Sequence, residues 1–132
     1  MHHGLYWGLP LVVMERFDLS HFCNSIQTHK ITYAYCVPPV ILLLAKHPIV
    51  ANYDLTSLRM LNSGAAPLTR DLVEAVYKRL KVPIKQGYGL SETSPVTHTQ
   101  RWEDWEMSIG SVGRLLPSKF WDEMLDEEVI VC

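Results

Sequence analysis

Short apolar runs alternate with helical stretches along this chain, and that alternation limits the folds open to it. Four runs predict buried strands: Leu9 to Met14, Ile31 to Val37, Ser57 to Ser63 and Pro83 to Gln86. A helical stretch separates each run from the next, which is typical of a parallel sheet with flanking helices. A chain of 132 residues fits one such domain. We therefore predict an α/β fold.

The helical stretches carry their own start signals. Asp18 suits the N-cap of the first helix, and Pro38 and Pro39 suit the first turn of the second. The third helix follows Pro67 and places apolar residues on one stripe, opposite charged residues. That stripe comprises Leu72, Val73, Val76 and Leu80.

Composition excludes several classes of protein. A formal net charge of −2 gives no electrostatic reason to expect a nucleic acid or an anionic membrane as partner. The longest apolar run, Cys36 to Ala45, has about half the length of a membrane span, and no basic stretch near the start suggests a signal peptide. Three widely spaced cysteines argue against a disulfide framework and for a reducing compartment. Cys23 and Cys36 are interpreted as small buried hydrophobic residues.

Two loop sequences, each following a predicted strand, contain the candidate site. Residues 62–68 read NSGAAPL, and residues 86–93 read QGYGLSET. In open α/β sheets, ligands bind beyond the carboxyl ends of the strands, where such loops converge. Residues 64–66 are small enough for a flat ligand to lie against the backbone, and the ring of Tyr88 can stack on a heteroaromatic base. These features favour a nucleotide site.

A hydroxyl and a carboxylate, those of Ser91 and Glu92, follow the aromatic residue. They are groups that a phosphate and its metal ion would contact. Each feature also has a purely structural interpretation. Tyr88 then covers the end of the sheet, the small residues permit a tight turn, and Glu92 is a solvated turn charge.

Five segments together resemble the adenylate-forming (AMP-binding) superfamily of acyl-CoA synthetases, 4-coumarate–CoA ligases and beetle luciferases. They are VVMERFDL, YAYCVPPVILLLAKHPIV, YDLTSLRMLNSGAAPL, KQGYGLSETSPVTH and GSVGRLLP, and the 4-coumarate–CoA ligase-like branch is the most similar. The resemblance implies part of the N-terminal domain of an adenylate-forming ligase. It places a partial AMP-binding domain over residues 1–117 and a divergent tail over residues 118–132.

The resemblance also implies roles for individual residues. Ser91 stands where the family has a threonine that bonds the α-phosphate, and Glu92 matches a glutamate that holds Mg²⁺; both are the candidate catalytic residues. Acyl-substrate contacts are implied for Gly64, Gly87, Pro95 and Val96. The implied nucleotide-binding residues are Gly64, Ala65, Ala66, Pro67, Gln86, Gly87, Tyr88, Gly89 and Ser91. No contact is assigned to residues 110–113.

The implied reaction joins a small carboxylic acid to ATP, giving an acyl-adenylate and pyrophosphate, and then forms a thioester with CoA. ATP, Mg²⁺ and CoA are the implied cofactors, and the implied compartment is the cytoplasm or the peroxisome. The sequence departs from the family in lacking its glycine-rich phosphate loop and its C-terminal adenylation lysine. His2 and His3 lie too close to the MERFD segment to match the luciferase histidine motif. We therefore expect an internal piece of a ligase, with a non-catalytic remnant as the alternative.

The stretch RWEDWEMS, residues 101–108, alternates aromatic and acidic residues. The resemblance gives it no fixed role. We interpret Trp102 and Trp105 as parts of a flap that packs against the body of the domain.

Overall fold

The computed structural model describes residues 6–107 and 109–116. In chain order, the α-helices and strands of this part are α1 (Leu19–His29), β1 (Tyr33–Cys36), α2 (Pro38–Lys46), β2 (Met60–Ser63), α3 (Arg70–Leu80), β3 (Ile84–Gly89), β4 (Val96–Thr99) and β5 (Arg114–Leu115). Two short 3₁₀ helices, Pro48–Asn52 and Ser91–Thr93, lie in the connections. Residues 117–132, and with them the predicted tail, lie outside the described residues, as do His2 and His3.

The helices begin at the predicted signals. Asp18 is the N-cap of α1, and its side chain accepts a hydrogen bond from the His21 backbone N–H at 2.8 Å. Helix α2 begins at Pro38, where the fixed φ of proline suits a first turn. Helix α1 ends at His29, and its C-cap Lys30 adopts a left-handed conformation with a φ of 51°.

Strands β1, β2 and β3 are adjacent and parallel, as predicted. Tyr33 pairs with Met60, and Leu61 pairs with Ile84. The crossover helices α2 and α3 contact each other, which places both on one face of the sheet. The prediction of an α/β fold with flanking helices is confirmed for this half of the sheet.

Strands β4 and β5 extend the sheet in the antiparallel sense, so that the five described strands stand in the order β1-β2-β3-β4-β5. The sequence did not predict them, because their short and largely polar sequences give no strand signal. Pairing with β4 also lengthens β3 beyond the predicted end at Gln86. Gly87 pairs with Thr99 and Tyr88 with His98, so the glycine–tyrosine–glycine motif lies in a strand and not in a loop.

The predicted first strand, Leu9 to Met14, is wrong. Residues 9–14 form no strand, and the side chains of Leu9, Leu11, Val12 and Val13 are exposed. Apolar and β-branched residues raise strand propensity, but a strand also needs a neighbour for its backbone hydrogen bonds. None of the described strands pairs with this stretch.

The core lies between the sheet and the helices. Ala34 and Cys36 alternate with exposed or partly exposed residues along β1 and face the core. Ile41, Leu44, Val73 and Val76 reach the same core from α2 and α3, and Cys23 and Ile26 from α1. Burial raises the pKa of the Cys23 thiol, and it raises that of Cys36 to about 12. Both cysteines are thus buried thiols, as predicted.

The segment after β4 packs against the body of the domain. The Trp102 ring lies 6.1 Å from that of Tyr33, the first residue of β1, and the Trp105 ring lies 4.6 Å from that of Tyr77 on α3. The predicted packing of both tryptophans is confirmed. Tyr33 begins a parallel strand, so Trp102 lies at the amino edge of the sheet. Within the part of the chain described here, no helix is long and apolar enough to cross a bilayer.

Two leucines of α2 provide a matched test of this core. Leu44 is fully buried, whereas the side chain of Leu42 is 42% exposed. We expect Leu44→Ala to lower the free energy of unfolding by about 2 to 5 kcal/mol, because it leaves a cavity among packed side chains. Leu42→Ala has the same effect on helix propensity but should cost much less. Urea denaturation of both variants measures this difference, and equal losses would contradict the packing described.

Candidate functional site

The carboxyl ends of β2 and β3 bring the two glycine-containing segments together. A Cβ atom built on Gly64, just after β2, would lie 3.6 Å from the carbonyl oxygen of Gly87 in β3. The parallel pairing of Ser63 with Gln86 places both segments at the same edge of the sheet. The convergence predicted from the strand order is therefore present in the structure.

The loop after β2 presents backbone rather than large side chains. Ala65, Ala66 and Pro67 are exposed, and Ala65 has a φ of 70°. A residue with a Cβ rarely adopts this left-handed conformation, which costs of the order of 1 kcal/mol. Such strained residues occur at binding sites more often than elsewhere. The loop offers an open surface on which a flat ligand could lie.

Tyr88 directly follows Gly87, near the end of β3. Its ring is partly buried, and the ring centroid lies 6.2 Å from that of His98, its partner on β4. His98 thus supports the ring while part of the ring surface stays accessible. This geometry fits a stacking platform, and it also fits the structural interpretation in which Tyr88 covers the sheet.

Gly89 is required by the close approach of β4. A Cβ atom on Gly89 would lie 1.9 Å from the carbonyl oxygen of Pro95, which no packed structure tolerates. The register between β3 and β4 shifts at the same point, between Tyr88 and Gly89. Pro95 and Val96 are exposed at the start of β4. Gly89 therefore determines how the turn over residues 90–95 leaves the sheet.

Thr93 organises that turn, and the sequence reasoning did not identify it. The Leu90 backbone N–H donates to Thr93 Oγ1 at 3.0 Å, and the same hydroxyl lies 2.8 Å from the Pro95 carbonyl oxygen. A threonine between a 3₁₀ turn and a strand is a local signal for such bonding. Ser91 and Glu92 stand on this turn and are exposed, so their polar groups are open to a ligand.

The turn offers few metal ligands. Among residues 6–107 and 109–116, no cluster of three histidine, cysteine or acidic side chains could hold a metal ion. Mg²⁺ does not need such a cluster, because it keeps several waters and is usually bound by one or two carboxylates together with substrate phosphates. The exposed carboxylate of Glu92 and the neighbouring hydroxyl of Ser91 fit that mode of binding.

Gln86 has a different environment from the other candidate residues. It is buried, and its backbone N–H donates to Oε1 of Gln100 at 2.7 Å, while the Gln100 N–H donates to the Gln86 carbonyl at 3.0 Å. Gln86 and Gln100 thus fix the end of β4 to β3. We assign Gln86 a role in shaping the site rather than an exposed contact surface.

Two buried polar atoms at the end of β2 were also missed by the sequence reasoning. Asn62 Oδ1 and Ser63 Oγ are inaccessible to solvent and have no hydrogen-bond partner within the described parts of the chain. Buried polar atoms nearly always find a partner, so each of these two atoms, which face opposite sides of the sheet, indicates where a ligand or an ordered water could bind. No sequence pattern identifies such atoms, because their burial depends on the tertiary packing.

The chain belongs to the AMP-binding enzyme family. The sequence profile of that family matches residues 1–127. The match extends beyond residue 117, and the domain boundary placed there stays a prediction.

Among curated proteins, the chain is 46% identical over 96 residues to 4-coumarate:CoA ligase 1 of Petunia hybrida, covering 70% of this chain and 17% of that protein. It is 38% identical over 118 residues to 4-coumarate--CoA ligase 3 of Arabidopsis thaliana, covering 89% of this chain and 20% of that protein. The chain thus spans about a fifth of these relatives.

Solved structures share the fold. The N-terminal domain of FACL13 from Mycobacterium tuberculosis superposes with a TM-score of 0.75 at 25% identity, covering 85% of this chain and 28% of that one. O-succinylbenzoate coenzyme A synthetase from Bacillus subtilis, solved in complex with ATP and magnesium ion, gives a TM-score of 0.74 at 26% identity, covering 89% and 24%. The mixed sheet and its helices therefore match part of the N-terminal domain of adenylate-forming ligases.

Two glycine substitutions distinguish a structural glycine from a surface glycine. We expect Gly89→Ala to lower the free energy of unfolding by about 1 to 3 kcal/mol or more, because the methyl group collides with the Pro95 carbonyl. Gly64→Ala places its methyl group at an ordinary contact distance of 3.6 Å from Gly87 and should cost much less. Thermal and urea denaturation measure both. A Gly89→Ala variant as stable as Gly64→Ala would refute the turn geometry.

Proposed function

We propose that this chain provides the adenine-binding wall and the metal-binding glutamate of an ATP-dependent acyl- or aryl-CoA ligase. The observation that carries the proposal is the close approach of Gly64 to Gly87, which directly precedes Tyr88, with Ser91 and Glu92 on the next turn. The family membership and the 4-coumarate–CoA ligase relatives support the same assignment.

In the proposed complex, the adenine lies against residues 64–67 and stacks on the accessible part of the Tyr88 ring. Gly87 lets the nucleotide approach the backbone closely, since it has no side chain, and Gly89 shapes the site by letting β4 close against β3. The Ser91 hydroxyl donates to an α-phosphate oxygen. Gly64, Gly87, Pro95 and Val96 line the acyl-binding part of the site.

Glu92 would hold Mg²⁺, which when bound neutralises charge on the phosphates. Negative charge builds around the α-phosphorus as the carboxylate attacks, so a positioned hydroxyl is a stabilising group there. In the complete ligase, a small carboxylic acid would attack the α-phosphorus of ATP, giving an acyl-adenylate and pyrophosphate, and the CoA thiol would then displace AMP to form the thioester. These steps, with ATP, Mg²⁺ and CoA as cofactors, are proposed by analogy with the relatives.

A non-catalytic role is the second candidate. The 132-residue sequence contains no glycine-rich run ending in Pro-Lys-Gly, and it spans only about a fifth of its curated relatives. A chain of this extent that binds a nucleotide without activating a carboxylate would be a binding module. The two candidates differ in activity and share the nucleotide site.

Binding of AMP tests the shared site. We expect Tyr88→Ala to weaken AMP binding by about tenfold, because stacking on an aromatic ring contributes roughly 1 to 3 kcal/mol per base. Tyr6→Ala removes an equally large ring that is 82% exposed and should have no effect. Isothermal titration calorimetry with each variant measures the affinities. An unchanged affinity of the Tyr88→Ala variant for AMP would show that the Tyr88 ring does not stack on the nucleotide.

Activity distinguishes the two candidates. We expect the 132-residue chain to give no ATP–pyrophosphate exchange with any carboxylic acid. Each lost electrostatic contact typically costs a factor of about 10² to 10³ in rate, and among the described residues the proposal gives the phosphates Ser91 and Glu92 as their only contacts. Measurable exchange by the chain itself would contradict this expectation and favour the catalytic assignment for the chain alone.

A loop graft tests the metal role separately. Residues 85–95 placed in an intact ligase of the family should preserve adenylation, and the same graft with Glu92→Ala should lose most of it. Initial rates of exchange at several Mg²⁺ concentrations measure the effect. An alanine graft with full activity would refute the assigned role of Glu92.

A further inference from the structure

The face of the sheet opposite the helices carries a row of polar side chains. Tyr35 on β1 pairs with Asn62 on β2, and Asn62 pairs with Lys85 on β3. Paired residues of parallel strands point to the same face, and successive residues of one strand point to opposite faces. Ala34 and Ile84 face the helical core, so these three residues face the other way.

Lys85 is an uncompensated cation on this face. Its Nζ atom lies 5.8 Å from the centroid of the Tyr33 ring, and its side chain is partly buried. Within residues 6–107 and 109–116, no carboxylate lies within 4.0 Å of it. Burial lowers the pKa of the Lys85 ammonium group, and burial is the only cause of that shift. The aromatic face attracts the cation, but it does not neutralise it.

Asn62 adds a second unsatisfied group next to Lys85. Its Oδ1 atom is buried and has no hydrogen-bond partner among the described residues. A cation without a counter-charge and a buried amide without a partner are each unfavourable alone. Together they form a polar patch. The Lys85 ammonium group needs an acceptor, which a ligand carboxylate supplies, whereas Asn62 Oδ1 needs a donor, which a ligand hydroxyl or an ordered water supplies.

A bare strip of backbone connects this patch to the candidate site. Gly87 lies two residues after Lys85 in β3. Gly64 lies two residues after Asn62, just beyond the end of β2. Neither glycine has a side chain. Two residues of a strand span about 7 Å, so the strip runs from the carboxyl edge of the sheet to Lys85. Tyr33, with Trp102 against its ring, stands at the amino end of the strip.

We infer that this strip holds the distal part of the acyl group, and that Lys85, beside Asn62, selects carboxylic acids with a second, anionic group at their far end. The inference rests on the proposed function, since it takes Gly64 and Gly87 as the acyl-binding floor. The recognising chemistry is a carboxylate that accepts hydrogen bonds from the Lys85 ammonium group. The second carboxylate stays unreacted, so Lys85 is a specificity-determining residue.

Two rod-shaped acids that differ only in a second carboxylate test the inference on the 132-residue chain. 4-Carboxycinnamate carries a carboxylate at each end, and cinnamate lacks the second one. We expect the dicarboxylate to bind at least tenfold more tightly, since hydrogen bonds to charged groups are stronger than those between neutral groups. NMR titration measures both affinities, and the Lys85 side-chain signals should shift with 4-carboxycinnamate alone.

Lysine variants supply the controls. Lys85→Met removes the charge at similar side-chain length and should abolish the preference for 4-carboxycinnamate over cinnamate. Lys85→Arg keeps a positive charge and should keep part of that preference. Lys81→Met is the matched control, because Lys81 also lies over a tyrosine ring, 5.7 Å from the Tyr77 centroid. It should keep the full preference. The backbone amide spectrum of each variant shows whether it has folded, and the wild-type titration tests the inference without any variant.

The outcomes separate the inference from the proposed function. Equal affinities for the two acids, no binding of 4-carboxycinnamate, or a preference that survives Lys85→Met would each overturn the inference. A parallel titration with AMP reports on the nucleotide site, through Tyr88 and Ser91, which the strip does not include. If the chain does not bind AMP but still prefers 4-carboxycinnamate to cinnamate through Lys85, the nucleotide site is refuted and the inference about Lys85 stands.

Discussion

The parallel pairing of β2 with β3 is the interaction on which the site depends. Leu61 opposite Ile84 buries both side chains under the helices, and the same register sets Ser63 opposite Gln86. A shift of one residue would turn these apolar side chains out of the core. Burial thus fixes the register, and the register places Gly64 next to Gly87. The binding surface is a consequence of core packing.

The antiparallel half of the sheet completes that surface. Strand β4 supports Tyr88 through His98 and closes against Gly89 so tightly that no side chain fits there. The turn between them carries Ser91 and Glu92 and is held by Thr93. Because the polar groups stand on a turn between two paired strands, their positions are limited by the sheet on both sides.

The sequence predicted those parts of the fold that depend on local signals. Asp18 and Pro38 identified helix starts, and the apolar runs at β1, β2 and β3 identified the parallel strands. The strand predictions were wrong or missing where a strand depends on its partners. The apolar stretch at residues 9–14 forms no strand among the described residues, whereas the polar β4 is a strand because β3 lies beside it.

The candidate site was predictable to a similar extent. The convergence of the Gly64 and Gly87 segments followed from the rule for carboxyl ends of parallel strands, and the family resemblance supplied roles for Ser91 and Glu92. The unpartnered oxygen of Asn62 and the uncompensated charge of Lys85 were not predictable. Both depend on which side chains surround them, and no spacing in the sequence records that.

The central claim is that the adjacent ends of β2 and β3 form the nucleotide-binding surface. Photolabelling with 2-azido-AMP, followed by peptide mapping, tests it most directly because the azide reacts beside the bound adenine. The account predicts labelled residues within 64–67 and 86–91, with labelling suppressed by excess AMP. Competable labelling confined to the cavity of about 320 Å³ lined by Arg101, Asp104 and Arg114 would contradict it.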